Sequence, residues 1–274
     1  MDNLGELIWW NLKPGLVEVD KVKGLAEGLG LPLDAIPKKV RLRTQIHRAL
    51  NELADDGFLR RIIEEKEKSV FVLVGEDIDE AREDAYYQVE DRFTYYKKDS
   101  RITCDNPSTQ VRLDALLKKY EGCFTKRDIC IIVCRMIDSD VINGVAIKSG
   151  SGIYFTPASS AAHVDNLSAF VSSVTDEGSL SRMSIQRTKA NADEVKTSYL
   201  DNFQAEINRT KEKIAALKEG DRYRRSTMVK ELEDLLQFSA RSRMYSQMLE
   251  IDRKDMNKKI DEVEEMIRSM MIGK

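Results

Sequence analysis

The chain predicts an α+β fold in two parts: helices and short β-hairpins over roughly the first two-thirds, then a long antiparallel α-helical hairpin of coiled-coil character. Three observations lead there. Runs rich in Val, Ile, Phe and Tyr come in pairs around short polar connections, as at Phe58 to Ile63 and Val70 to Val74, which is the pattern of a hairpin. Between such pairs, apolar residues recur at helical spacing. From Asp193 onward there is no proline, and the only glycines are Gly220 and Gly273, so a long helix is broken only by a turn at Gly220-Asp221.

Composition narrows the function classes. The 274 residues are 42% hydrophobic, enough for a packed core, and 33% charged with a formal net charge of −3. Charges of both signs are therefore mixed, and any attraction to nucleic acid has to come from a local basic patch. Four cysteines in a chain of this length do not make a secreted disulfide scaffold, and no stretch approaches the roughly 20 apolar residues of a membrane-spanning helix. A cytoplasmic location, or the host cytoplasm for a viral protein, is expected, with no membrane partner.

The elements follow in order. Leu4, Leu7, Ile8 and Leu12, with Trp9 and Trp10, fall at helical spacing ahead of Pro14 and predict an opening amphipathic helix. Asp20 can cap a second helix carrying Val22, Leu25, Ala26 and Leu29, closed by Gly30 and Pro32. A third, with Val40, Ile46, Leu50 and Leu53, ends at Asp55-Asp56-Gly57 and leads into the first hairpin.

The run Ala49-Leu50-Asn51-Glu52-Leu53-Ala54-Asp55-Asp56-Gly57-Phe58-Leu59-Arg60-Arg61 resembles the end of a winged-helix recognition helix passing through a glycine into the first wing strand. The resemblance implies a winged-helix-like unit over residues 1–79, with the third helix presented to DNA. Residues 80–174 repeat the theme. Strands at Tyr86 to Tyr96 and Arg101 to Cys104 precede a helix with Val111, Leu113, Leu116 and Leu117. Thr125, three residues before Asp128, caps another, and Val141 to Ile147 and Ile153 to Phe155 bracket a glycine-rich tip. A helix from Ala161 to Val174 closes this second, winged-helix-like unit. Residues 175–192 read as a linker in which Met183 to Gln186 can pair with a sheet edge.

Residues 193–274 carry the helical hairpin. Tyr199, Phe203, Ile207, Thr210, Ile214 and Leu217 make one seam. Met228, Leu235, Ser242, Leu249, Met256, Val263 and Met270 recur at strict sevens, with Leu232, Ser239, Ser246, Arg253, Ile260 and Ile267 as companions. A single second helix of about 70 Å would outrun a first of about 40 Å. The stripe Leu249, Met256, Ile260, Val263, Ile267 and Met270 is therefore expected to need a cover, from a second copy, a helical partner protein or the globular body.

Candidate chemistry is sparse. Lys38, Lys39, Arg41, Arg43, His47 and Arg48 lie in or just before the third helix with no acid among them, and Arg60 and Arg61 follow at the wing base. Such a set can contact phosphates or guanine edges, although Glu64, Glu65 and Glu67 at the wing tip oppose it. Tyr86, Tyr87, Phe93, Tyr95 and Tyr96, with Arg92, Lys97, Lys98 and Arg101, read either as a stacking platform for single strands or as ordinary cross-strand pairs. Asp56, Glu64 and Lys66 loosely imitate a metal-dependent nuclease. Cys123, Cys130 and Cys134 lack the paired spacing of a zinc site, and neither His47 nor His163 stands in a nucleophile motif. Gly150-Ser151-Gly152 leads into a strand rather than a helix, unlike a phosphate loop. The expectation is a non-enzymatic DNA-associated or assembly protein with no cofactor and no metal, similar to uncharacterised prokaryotic and viral accessory proteins. A scaffold that touches no nucleic acid is the alternative, and a nuclease the second.

Overall fold

The structure, a computed structural model, describes residues 2–54, 57–79, 84–148, 150–219 and 225–272. The expected turns at Asp55-Asp56 and Gly220-Asp221, and Ser149 beside the glycine-rich tip, lie outside the described residues, and Tyr86 is described by its backbone alone. In chain order the elements are β1 (Asn3–Asn11), β2 (Leu16–Glu18), α1 (Val19–Gly28), α2 (Leu42–Ala54), β3 (Phe58–Glu64), β4 (Lys68–Asp79), β5 (Asp84–Tyr96), β6 (Arg101–Cys104), α3 (Pro107–Tyr120), β7 (Cys123–Thr125), α4 (Lys126–Ile137), β8 (Val145–Ala146), β9 (Tyr154–Pro157), α5 (Ala161–Val174), β10 (Ser179–Gln186), α6 (Lys189–Glu219), α7 (Arg225–Met248) and α8 (Lys254–Ile272). The protein is mixed α and β with antiparallel sheets. Two compact units form, one from Met1–Lys13, Gly24–Ala35 and Cys130–Lys274, the other from Pro14–Lys23 and Ile36–Ile129.

In the first unit, β1 is a strand and not the expected opening helix. A spacing of four fits both periods: Leu4, Ile8 and Leu12 share a face of a helix and equally lie an even number of residues apart in a strand. The Ile8-Trp9-Trp10 run favours extended backbone. Gly5 decides the fit to β9, because a Cβ there would overlap the Thr156 carbonyl oxygen and the Phe155 ring. β1 pairs on one side with β10 and on the other with β9, giving the order β10-β1-β9-β8. The predicted edge pairing of Met183 to Gln186 is part of this ladder, so the expected linker at 175–192 holds an eight-residue strand.

Both faces of that sheet are covered. On one, Arg182 of β10 bridges Glu6 of β1 and Asp165 of α5. On the other, Leu4, Val145 and Phe155 join the core formed by α6, α7 and α8. Tyr199 and Tyr245 stack at 4.5 Å in this core. The Tyr199 hydroxyl donates to Ser242 at 2.9 Å, and the Tyr245 hydroxyl donates to the Asn143 carbonyl at 2.7 Å. Two rings therefore bury large area without leaving a polar atom unpaired.

The single long second helix is also corrected. Glu250 takes a positive φ of 53°. The Ile251 amide bonds to the Ser246 carbonyl at 3.0 Å, ending α7 in a Schellman-type turn. Asp252 Oδ1 then accepts from the Lys254 amide at 3.0 Å and starts α8. The chain folds back, and Lys211 of α6 meets Glu262 of α8 at 2.9 Å. Three helices of roughly 46, 36 and 28 Å replace two unequal ones. The heptad survives the break because α7 and α8 both turn an apolar face to the same core.

This fold covers the stripe expected to drive oligomerisation. Leu249, Met256, Ile260, Val263, Ile267 and Met270 are all buried within the chain, packed with Tyr199, Phe203, Ile207 and Ile214 of α6. They present no surface to a second copy.

In the second unit, β3, β4, β5 and β6 make one antiparallel sheet in chain order. A division at 79/80 falls between paired strands, since Asp79 of β4 faces Asp84 of β5. The expected second unit at 80–174 is therefore split: β5, β6 and α3 belong to this sheet and its helices, whereas β8, β9 and α5 belong with β1. One face of the sheet carries the core, where Ile46, Ala49, Leu50 and Leu53 of α2 and Leu113 of α3 meet Phe71, Leu73, Phe93 and Ile102. Thr125 and Asp128 exchange the expected capping bonds, the Thr125 amide donating to Asp128 Oδ2 at 2.7 Å. Among the described residues no helix is long and apolar enough to cross a membrane.

Two measurements check the covered stripe. Truncation after Glu250 removes Met256, Ile260, Val263, Ile267 and Met270, each contributing about 1.5–3 kcal/mol by burial, a sum comparable to the about 5–15 kcal/mol of a whole domain. The truncated chain should lose the α6–α7 packing as well, seen as loss of near-ultraviolet circular dichroism, whereas a stripe serving only a second copy would leave that signal intact. Ile267→Ala should lower stability by about 2–5 kcal/mol in urea titration, with exposed Glu265→Ala changing it by no more than about 0.5 kcal/mol.

Candidate nucleic-acid interface

Helix α2 positions the expected basic residues by a simple division of its surface. Ile46, Ala49, Leu50 and Leu53 face the core, which sends Arg43 and His47 to the flank and leaves Lys38, Lys39 and Arg41 exposed in the segment leading into the helix. The first turn of α2 holds no acidic residue. Among the described residues no carboxylate lies within ion-pair distance of Lys38, Lys39, Arg41 or Arg43.

His47 reports on the electrostatics of this flank. Its ring meets Phe71 edge-on at 5.4 Å. Burial pushes its pKa below the usual histidine value, the Arg43 and Arg61 guanidiniums push it further down, and Glu64 opposes them. Arg43, His47 and Arg61 thus converge from α2 and β3 although they are distant in sequence.

Two of the eight expected residues do not join them. Arg48 is held by Asp128 at 2.5 Å and its side chain is only 16% exposed. The Asp128 carboxylate that caps α4 takes this guanidinium inward, making Arg48 a structural residue. Arg60 alternates with Arg61 along β3, so it points from the other face of the sheet, where its guanidinium lies 4.9 Å from the Phe58 ring centre.

The acidic β3–β4 turn is less repulsive than its sequence suggests. Glu64 accepts from Lys97 at 2.6 Å, Ser69 at 2.8 Å and Arg61 at 2.9 Å. The Lys97 and Ser69 hydrogen bonds, joined by the Lys97 and Arg61 charges, pull its pKa down to about 2 against opposing desolvation. The β5–β6 turn therefore supplies a cation to the β3–β4 turn, a neutralisation invisible to local sequence reading. With its oxygens so engaged, Glu64 is an ion-pair anchor in the place where the nuclease reading needed a metal ligand. Asp56, the other carboxylate of that reading, lies outside the described residues. Among the described residues no group of three or more His, Cys, Asp or Glu side chains is placed to hold a metal ion.

All four thiols are free, and burial raises the pKa of Cys104 and Cys123, which disfavours the thiolate. A cavity of about 670 Å³ in the first unit is lined by α4, β8, α6 and α7. Of its charged groups, Arg241 pairs with Asp138, Lys213 with Glu231 and Arg209 with Glu206, while burial raises the pKa of Asp234 in the same wall.

No curated protein and no solved structure matches the chain. Residues 3–274 match a family of unknown function, DUF6744, and the chain belongs to that family.

Proposed function

We propose that this is a non-enzymatic DNA-associated binding protein that grips the phosphate backbone with the cations leading into α2. One observation carries the reading. Lys38, Lys39, Arg41 and Arg43 crowd the N-terminal end of a 13-residue helix, and among the described residues no carboxylate balances them. That end of a helix carries about +0.5 charge, so each nearby cation costs about 0.3–1 kcal/mol instead of stabilising the fold. A phosphate reverses the sign, gaining from the cations and from the free amides together. In the finer reading, α1, α2, β3 and β4 keep the helix, helix, ribbon order of a winged helix, with α2 in the place of the recognition helix and β3–β4 as the wing. The opening helix of that pattern is replaced by β1.

Fluorescence anisotropy on a labelled duplex over about 50–200 mM salt tests the proposal. Replacing Lys38, Lys39, Arg41 and Arg43 with alanine should weaken binding at least about tenfold and flatten the log–log salt slope by about 0.9 for each lost phosphate contact. Arg48→Ala should leave that slope unchanged while lowering stability by about 1–3 kcal/mol, through loss of its charged hydrogen bond. No duplex binding by the wild type at about 50 mM salt overturns the reading and leaves the scaffold alternative.

The pH dependence has a worked sign. Because the folded-state pKa of His47 lies below 6.5, the imidazole is neutral at pH 7 and gains its charge only as pH falls. Duplex affinity should therefore rise as pH falls through that window, and His47→Gln should abolish the rise. Stability runs the other way: the unfolded state takes the proton first, so His47 contributes fully above 6.5 and progressively less below it.

A further inference from the structure

We propose that the face of the β3-β4-β5-β6 sheet turned away from α2 and α3 binds single-stranded nucleic acid, stacking bases on its aromatic side chains. The strand registers define this face. Because Phe71, Leu73, Phe93 and Ile102 point into the helix-covered core, the alternate residues point the other way. Across the strands they form rows: Phe58, Val74 and Val89, then Arg60, Val72 and Arg92, then Ile63, Val70, Thr94 and Thr103, then Lys68, Tyr96 and Arg101. No carboxylate stands in these rows. Tyr87 sits beyond the first of them, paired with Glu76, and its ring meets Phe58 edge-on at 5.5 Å.

The composition selects the occupant. Tyr87 is 60% exposed, Val89 62% and Tyr96 36%, so these apolar groups add little to folding and would be a solubility burden on a face with no purpose. Arginines accompany the rings, Arg60 at 4.9 Å from Phe58 and Arg101 at 5.3 Å from Tyr96. A guanidinium beside an exposed ring offers a plane for a base and a fork for a phosphate in one place. The ring clusters at the two ends are six β4 residues apart, roughly 20 Å along the strands, so a strand laid between them passes over Arg60 and Arg92. Val70, Val72 and Val74 of the central rows are themselves buried, so the accessible surface between the ring clusters is that of the exposed Arg60 and Arg92. An acidic or apolar protein surface would not account for arginines in rows with rings. A duplex, whose bases are stacked inward, has no use for the rings.

This face is distinct from the α2 flank, and the proposal does not rest on duplex binding. The test is anisotropy of a labelled 20-nucleotide oligo-dT alongside the duplex at about 50 mM salt. Tyr87→Ala with Tyr96→Ala should weaken oligo-dT binding at least about tenfold, since stacking dominates sequence-tolerant single-strand binding, and should leave duplex binding unchanged. Tyr87→Phe with Tyr96→Phe should restore it, because the ring and not the hydroxyl stacks. Ultraviolet crosslinking of a bromouridine-substituted strand should label β5 peptides, and thermal melts of each variant confirm folding. Oligo-dT binding that is absent in the wild type, or equal in wild type and the double alanine variant, overturns the proposal. Self-association lost in the double alanine variant without oligo-dT binding overturns it in favour of a second protein chain.

Discussion

The first unit depends on β1 having both of its edges paired. β9 and β10 do not touch each other in the sheet; each is hydrogen-bonded to β1. Remove that strand and, among the described residues, β10 has no strand partner left, while β9 keeps the two-residue β8. The layers on either side depend on it in turn. Arg182 reaches α5 from a position set by its pairing with Ile8, and Phe155 reaches Tyr245 because β9 lies close against Gly5. A substitution at Gly5 would act on both helical layers through the sheet between them.

Much of the fold was legible because local rules agreed with global ones. The α5 limits, the Thr125–Asp128 cap, the β3–β4 pair and the β5–β6 pair all combine a clear period with a clear stop signal. The failures share a different origin. Leu4, Ile8 and Leu12 satisfy two periods at once, and only the neighbouring strands choose between them. Glu250 adopts a backbone conformation that a sequence reader expects of glycine or asparagine, so an unbroken heptad hid a reversal of the chain. Domain limits failed because spatial neighbours come from far apart in the chain, which no boundary drawn along the sequence can represent.

The basic site divides in the same way. The exposed cations before α2 follow from composition and helical phase alone. The withdrawal of Arg48 does not, since Asp128 lies 80 positions further on. Arg60 and Arg61 are adjacent in sequence and stand on opposite faces, a consequence of strand geometry that a list of basic residues cannot express. One run of charges thus stands on two faces of the sheet, one beside a helix and one beside Phe58.

The order in which the chain is made adds a consequence of the β1 pairing. Glu6 and Arg182 meet across 176 positions. At about 5–20 residues per second, synthesis separates them by roughly 9–35 seconds. During that interval β3 to β6, α2 and α3 emerge complete, and their hairpins close in about microseconds. Strand β1, carrying two tryptophans, has no partner until residues 154–157 are made, and its other edge stays bare until residues 179–186 follow. A chain built this way covers β1 late, so the sheet of the first unit closes only after the sheet of the second is already complete.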